Sequence, residues 1–518
     1  MASTEPSSAE SPFADPAGRV GFAEALDQIA QALHGSGART VKVLGATSAG
    51  GAAVAAHLGG VVDGQRPVVY LVPDEDAAEE RLADVGFFLP ERAPGDDPVR
   101  GVGAEQLPAE GGSPYAEMQP DRRLLMRRMG LLFRLARGRG PEVIVASPGA
   151  LFRRVIPRSE FDRLSFCVES GATVDREQLI AGLVRAGFAR VQVVEDPGSF
   201  AVRGAVIDLF PPVYRDPIRI ELLGDEVESI RLFDAGSQRT LRTLPAVWIH
   251  PVRETVVGEG ADPRARILAA ADAASVPSSK TRHLIEQIEA GETFFGIEAL
   301  APAFHREMAS VLEYLPADTV FVLEDPDAIY EELRRAFTRL RESADHRRAE
   351  HLLTLPPSDF MAEPDEVKAA LGERKRVELE PLVMVSSTAA ADVTVVHVEA
   401  EPNSGLRAEL AEQRRADAGQ GDGAGSEHAK ALREKLEGFV REGMRVRLVA
   451  NSRAHAERLV GLLKAIGLEP RALPTGKKAA PAWPALLHPD VDRAPLAVLV
   501  GSLSAGFRSP RDRLMLIA

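Results

Sequence analysis

Thr40-Val41-Lys42-Val43-Leu44 is a short apolar run. It leads into Gly45-Ala46-Thr47-Ser48-Ala49-Gly50-Gly51-Ala52 and then an alanine-rich stretch to Leu58. A buried strand, a glycine turn and a helix in that order open a βαβ unit, which commits the chain to a parallel sheet with helices packed on its faces. The glycines have the G-x-x-x-x-G spacing of a phosphate-binding loop. In the complete motif, backbone N–H groups cradle phosphate, a following Lys reaches the β and γ phosphates, and a Ser or Thr hydroxyl holds Mg²⁺. Here Gly51 stands at the Lys position and Ala52 at the hydroxyl position. With 44 Gly in the chain, the bare spacing should arise by chance about four times, so the strand before it and the helix after it carry the reading. The loop keeps the shape of a nucleotide site and lacks the cation and metal anchor that phosphoryl transfer needs.

The alternation continues. Val68 to Val72 and Val143 to Ala146 are further apolar runs, each followed by a helical pattern, as in a doubly wound sheet. Between them Asp121 to Arg137 reads as a helix, with Arg123, Arg127, Arg134 and Arg137 on one side and Leu124, Leu125, Leu131, Leu132 and Leu135 on the other. The balance favours a solvated face over a DNA stripe, because the net charge is −14 and the pI about 5.4. Two Trp and five Tyr leave few platforms for stacking bases. One cysteine, Cys167, excludes a disulfide framework and fits a reducing compartment. The polar, acidic start and the lack of any long apolar run predict a cytoplasmic protein with no membrane segment.

From Asp175 the pattern changes. Asp175-Arg176-Glu177-Gln178 starts a helix, and strand-like runs follow at Ala189 to Val194, Ala201 to Phe210, Ile218 to Leu223 and Val227 to Phe233, which predicts an antiparallel α+β insert. Thr319-Val320-Phe321-Val322-Leu323-Glu324-Asp325-Pro326 has the apolar-then-acidic form of a Walker B strand, with its acids in altered order and a proline after them. A Gly-, Asp- and Ala-rich linker near Ala416 to Ser426 sets off a last α/β unit. That unit ends on the apolar run Leu514 to Ala518, which predicts a fragment of a longer protein. No G-x-G-x-x-G dinucleotide turn follows the first strand, and no His cluster suggests a metal.

Several stretches resemble one family: Ser113-Pro114-Tyr115, Val145 to Leu151, Val202-Arg203-Gly204-Ala205-Val206-Ile207-Asp208-Leu209-Phe210-Pro211, Glu226 to Asp234, Gly296-Ile297-Glu298, and Gly501-Ser502-Leu503-Ser504-Ala505-Gly506-Phe507. From about Gly21 onward the chain is similar to the N-terminal half of bacterial transcription-repair coupling factors. The resemblance implies a degenerate P-loop helicase-like (UvrB-like) parallel sheet, with an α+β insert and a small C-terminal α/β domain. The boundaries expected are a disordered tail at 1–18, the first part of the sheet domain at 19–157, the insert at 158–245, the second part at 246–400, a linker at 401–428 and the small domain at 429–518.

The resemblance also implies that the insert docks UvrA, with Arg190 and Arg203 facing it and Phe210 as an apolar neighbour. Where UvrB has a further Arg, this chain has Ala201. UvrB carries a tyrosine-rich hairpin that probes DNA, and the corresponding stretch Val102 to Met118 holds only Tyr115. Gly45, Gly50, Gly51 and Ala52 then form a degenerate nucleotide loop, and Glu324 and Asp325 a degenerate Walker B. No cofactor is expected in this segment. ATP and Mg²⁺ belong to the family's C-terminal motor, as do contacts to RNA polymerase and duplex DNA. The expected role is non-catalytic and monomeric, recruiting UvrA to lesions where polymerase has stalled. The alternative is a working UvrB-like ATPase or helicase, from which Gly51 and Ala52 discriminate.

Overall fold

The computed structural model describes residues 19–35, 39–61, 67–89, 99–109, 112–115, 121–292, 294, 296–380, 393–403, 424–472 and 494–518. The expected tail at 1–18 and residues 404–423 of the expected linker lie outside them, and the linker's two ends fall in strand Glu401–Pro402 and helix Ala424–Arg441. At the centre is an eight-stranded sheet in the spatial order Arg19–Val20, Val393–Val398, Thr40–Leu44, Arg376–Glu380, Phe321–Glu324, Val68–Leu71, Val143–Ala146, Ala104–Leu107. Every neighbouring pair runs parallel. Strands from both halves of the chain therefore alternate within one sheet. Its interior strands Phe321–Glu324, Val68–Leu71 and Val143–Ala146 are near-continuous apolar runs, as expected when helices cover both faces. Helices Phe22–Gly35, Ser48–Val61 and Glu75–Phe88 pack into one core with Val41, Val43, Tyr70 and Val322. Helix Arg122–Ala136 lies in the core that contains Val69, Leu71 and Ile144.

The insert is a second sheet of six strands. Ser199–Arg203, Val206–Leu209, Ile218–Leu223, Glu226–Phe233 and Thr240–Thr243 form an antiparallel meander, and Ala189–Arg190 adds a parallel edge. The run 201–210, read from sequence as one strand, is a hairpin that turns at Gly204 in the left-handed region (φ 59°), and the strand expected at 189–194 stops at Arg190. Helix Arg176–Arg185 is capped as the sequence suggested, with the Asp175 carboxylate accepting from the N–H groups of Glu177 and Gln178 at 2.9 and 3.0 Å. Asp208 is buried in this sheet and paired bidentately with Arg219 at 2.7 and 2.9 Å.

Strands Phe166–Glu169 and Ala246–Ile249 pair antiparallel, so the chain enters and leaves the insert at one point. Beneath that point is a buried polar hub. Glu254 lies 3.3 Å from Arg128 and 3.7 Å from Arg153, and its carbonyl oxygen is 2.6 Å from His305 Nε2. His250 stacks on Phe133 at 4.5 Å and is fully buried. Burial pushes its imidazole down to about 3, against a smaller opposing effect of the Pro251 carbonyl, and burial lowers His305 as well. A folded value below the unfolded one means the unfolded chain takes up the proton first. The stability held by a neutral His250 is thus complete above the ordinary histidine value and is lost as pH falls below it. Between pH 6.5 and 5 the loss from His250 should be about 2 kcal/mol. Urea melts at the two pH values test this, with a His250→Gln variant expected to flatten the dependence. An equal urea midpoint at both pH values for the parent chain would contradict it.

The last domain has its own sheet, in the order Glu401–Pro402, Phe507–Ser509, Leu514–Ile517, Arg445–Ala450, Leu496–Val500, Arg471–Ala472. Phe507–Ser509 runs antiparallel to both of its neighbours, and the remaining pairs are parallel. Leu499, Phe507, Leu514 and Leu516 share a core with Phe22, Leu26 and Phe88, so this domain is packed onto the helices of the main sheet. No helix among the described residues is long and apolar enough to cross a membrane.

Candidate functional site

Gly45 takes the left-handed conformation (φ 83°), and a Cβ there would lie 2.6 Å from the Val398 carbonyl oxygen, so the loop is pressed against the neighbouring strand. Two first-turn amides of helix Ser48–Val61 are already engaged. Gly50 N–H donates to the Thr47 hydroxyl at 3.2 Å, and Gly51 N–H to the Thr47 carbonyl at 2.8 Å. Gly51 and Ala52 are buried. A Cβ on Gly51 would come within 2.5 Å of the Tyr70 hydroxyl and 2.7 Å of Leu379 Cδ1, so the space a lysine would use holds a tyrosine.

Tyr70 in turn donates to Glu324, the first acid of the Walker B-like strand, and Arg81 Nε reaches both oxygens of that carboxylate at 3.1 and 3.2 Å. Burial first, then the adjacent Glu324 charge, keep the Tyr70 phenol protonated far above its ordinary range. Asp325 is left-handed (φ 55°) and caps helix Pro326–Ala349, accepting from the Ala328 N–H at 3.1 Å. Glu324 is thus committed to Tyr70 and Arg81, and Asp325 to a helix end. Among the described residues no cluster of His, Cys, Asp or Glu is arranged to hold a metal.

The insert presents a different surface. Arg190 ends the edge strand and is exposed, and Arg203 ends the first arm of the hairpin and is also exposed. Arg203 Nη2 donates to the Gln192 carbonyl at 2.9 Å, which brings both arginines to one corner of the sheet. Val191 and Val193, 37% and 45% exposed, lie on the same segment and give that corner an apolar surface beside the two guanidinium groups. Sequence reading missed these valines because it carried the strand through to Val194. Once the strand stops at Arg190, they come out to the surface.

Phe210 is corrected. It is buried in a small cluster with Val194 and Ala201 and supports the corner from beneath rather than touching a partner. Ala201 is 1% exposed in the same cluster, so the departure from UvrB at this position sits inside the fold.

The expected arginine face of helix Arg122–Ala136 divides. Arg123 and Arg127 are exposed. Arg134 is instead paired with Glu105 at 2.7 Å and donates to the carbonyls of Val99 and Val213, and Arg137 lies over Trp248 at 4.8 Å. Arg128, unremarked in the sequence, is 1% exposed against Glu254. Tyr115 is buried, donates to the Leu355 carbonyl at 2.6 Å and meets Phe360 edge-on at 5.3 Å, so its ring is not open to a base.

Residues 166–254 match a family model described as the UvrB interaction domain. The chain is 34% identical over 329 residues to the transcription-repair-coupling factor of Myxococcus xanthus, covering 61% of this chain and 26% of that protein. With the Escherichia coli K12 protein of the same name it shares 29% over 283 residues, covering 54% and 24%. It is also 36% identical over 117 residues to UvrABC system protein B of Thermosipho africanus, covering 23% and 18%. The matches to the two coupling factors span about a quarter of those proteins' length. A large parallel sheet interrupted by a stretch that matches the UvrB interaction domain defines a UvrB-like class of protein. Within that class the chain belongs with the N-terminal half of the transcription-repair coupling factors.

Proposed function

We propose that this chain is the non-catalytic recruiting arm of a transcription-repair coupling factor. Its insert docks UvrA, and its helicase-like sheet is a scaffold that has lost nucleotide chemistry. In the complete protein this arm would serve transcription-coupled excision repair in the cytoplasm, with duplex DNA and RNA polymerase engaged by the C-terminal motor. The observation that carries the reading is the insert corner, where Arg190, Arg203, Val191 and Val193 combine exposed guanidinium groups with exposed apolar surface on a rigid sheet. Interface hot spots are built from that combination. Calorimetric titration of UvrA with this chain tests the proposal. Saturable binding that UvrB competes away is the expected result, and no heat at micromolar concentrations would end it.

The scaffold half of the proposal has its own test. Mg-ATP should neither bind at micromolar concentration nor be turned over, because Tyr70 fills the lysine space and Glu324 and Asp325 are both committed. A steady-state phosphate-release assay reads this. Turnover on the order of 1 per second, ordinary for an ATPase, would restore the catalytic alternative.

A further inference from the structure

Two motifs remain without a role in UvrA docking: the acid of the Walker B-like strand, and the Gly501-Ser502-Leu503-Ser504-Ala505-Gly506-Phe507 loop of the last domain. They meet through two residues of helix Glu75–Phe88. Arg81 binds Glu324 with its Nε, while its Nη1 lies 3.1 Å from the Asp84 carboxylate and 3.0 Å from the Ser504 hydroxyl. Asp84 is 0% exposed and takes the Ser504 N–H and hydroxyl at 2.6 Å each. Tyr70, Glu324, Arg81, Asp84 and Ser504 thus form one continuous polar chain from the sheet to the last domain.

A second seat lies on the first helix. The carboxylate of Asp512 accepts from the Phe22 N–H at 2.5 Å and the Ala23 N–H at 3.4 Å, and Phe22 packs on Phe507 with centroids 5.3 Å apart. Gly501 is in close contact with Phe87, and a side chain there would run into the ring.

We propose that the disused nucleotide site has become a docking socket for the last domain. The apolar contact of Phe22, Phe88, Phe507 and Leu514 supplies area without direction. The Asp84 and Arg81 groups supply direction, since a buried carboxylate and guanidinium accept only a donor and acceptor placed as Ser504 places them. Glu324 holds Arg81 in position for Asp84. The position of the last domain is therefore set at the site where a working motor would sense nucleotide. This inference goes beyond the UvrA reading and does not depend on it.

Hydrogen exchange read by mass spectrometry on the full chain tests the proposal. In Ser504→Ala, a loop substitution that spares the sheet, peptides covering 496–506 and 19–26 should both exchange about tenfold faster. Strand peptides at 68–72 and the insert peptide at 206–223 should not change. Asp84→Asn should loosen the same two regions further. The distant 19–26 peptide is the discriminating one, because it reports the Asp512 seat and not the substituted contact. If 19–26 keeps its parental exchange in both variants, Ser504 makes a local bond only and the socket is refuted. Uniform acceleration across the insert and both sheets in Asp84→Asn, with Ser504→Ala silent, would also refute it by making Asp84 a residue of the general core.

Discussion

A chain carrying Arg190→Ala and Arg203→Ala together should bind UvrA more than about 100-fold more weakly than the parent, with each single variant down by about 30-fold. Both side chains are exposed in the free protein, so their loss costs no buried partner and should leave stability within about 0.5 kcal/mol. Arg203 is the more informative of the two, because its bond to the Gln192 carbonyl holds the guanidinium at the corner before a partner arrives. Phe210→Ala supplies the contrast. It empties a buried site, so it should appear first as a lower melting temperature and only through that as weaker binding. Titration of UvrA with the parent and the four variants, alongside thermal melts, separates the cases. Parental affinity in the double variant would move the docking surface off this corner while leaving the family assignment intact.

The second large effect is expected at the hub beneath the insert. Glu254→Ala removes the carboxylate that faces Arg128 and Arg153, which are 1% and 8% exposed. Two cations in a buried site would then lose this carboxylate. Breaking a buried pair from one side typically costs ~3–5 kcal/mol, far more than the pair contributes relative to an apolar replacement. Glu254→Gln keeps the shape and one acceptor and should recover part of the loss. Urea unfolding is the measurement. A change under ~1 kcal/mol for the alanine variant would mean that water or a side-chain shift reaches the hub freely.

The parts of this molecule visible in the sequence are those where side-chain chemistry and periodicity agree. Val68 to Val72 and Val143 to Ala146 are almost wholly apolar, Thr40 to Leu44 is apolar but for Thr40 and Lys42, and all three are readable as buried parallel strands. Arg376–Glu380, a central strand between two of the others, was not. It alternates Arg, Val, Glu, Leu, Glu, and its acids are absorbed by Lys42 of the neighbouring strand, with Glu380 at 2.8 Å and Glu378 at 3.7 Å. A cross-strand ion pair in a central strand reads locally as a polar loop.

The missing Lys at Gly51 was legible from spacing alone. That Tyr70 fills the gap was not, because nothing in a run of apolar residues marks one hydroxyl as aimed at a distant glutamate. Arg128 was hidden for the converse reason. In a helix with many arginines, periodicity cannot say which one turns inward to meet a residue 126 positions away.

The interleaved order of the main sheet has a consequence for how the chain matures on the ribosome. Strand Thr40–Leu44 pairs on one side with Arg376–Glu380 and on the other with Val393–Val398. Neither neighbour exists until more than three hundred further residues have been translated, a wait of roughly 20 to 70 s at bacterial elongation rates. The insert has no such delay. Its hairpins join residues no more than 15 positions apart, so it can form while the sheet that will hold it is still half made. During that interval the glycine loop and the apolar helix after it lack their covering strands and are open to chaperones. The insert, with its exposed arginine corner, can thus mature before the main sheet that holds it.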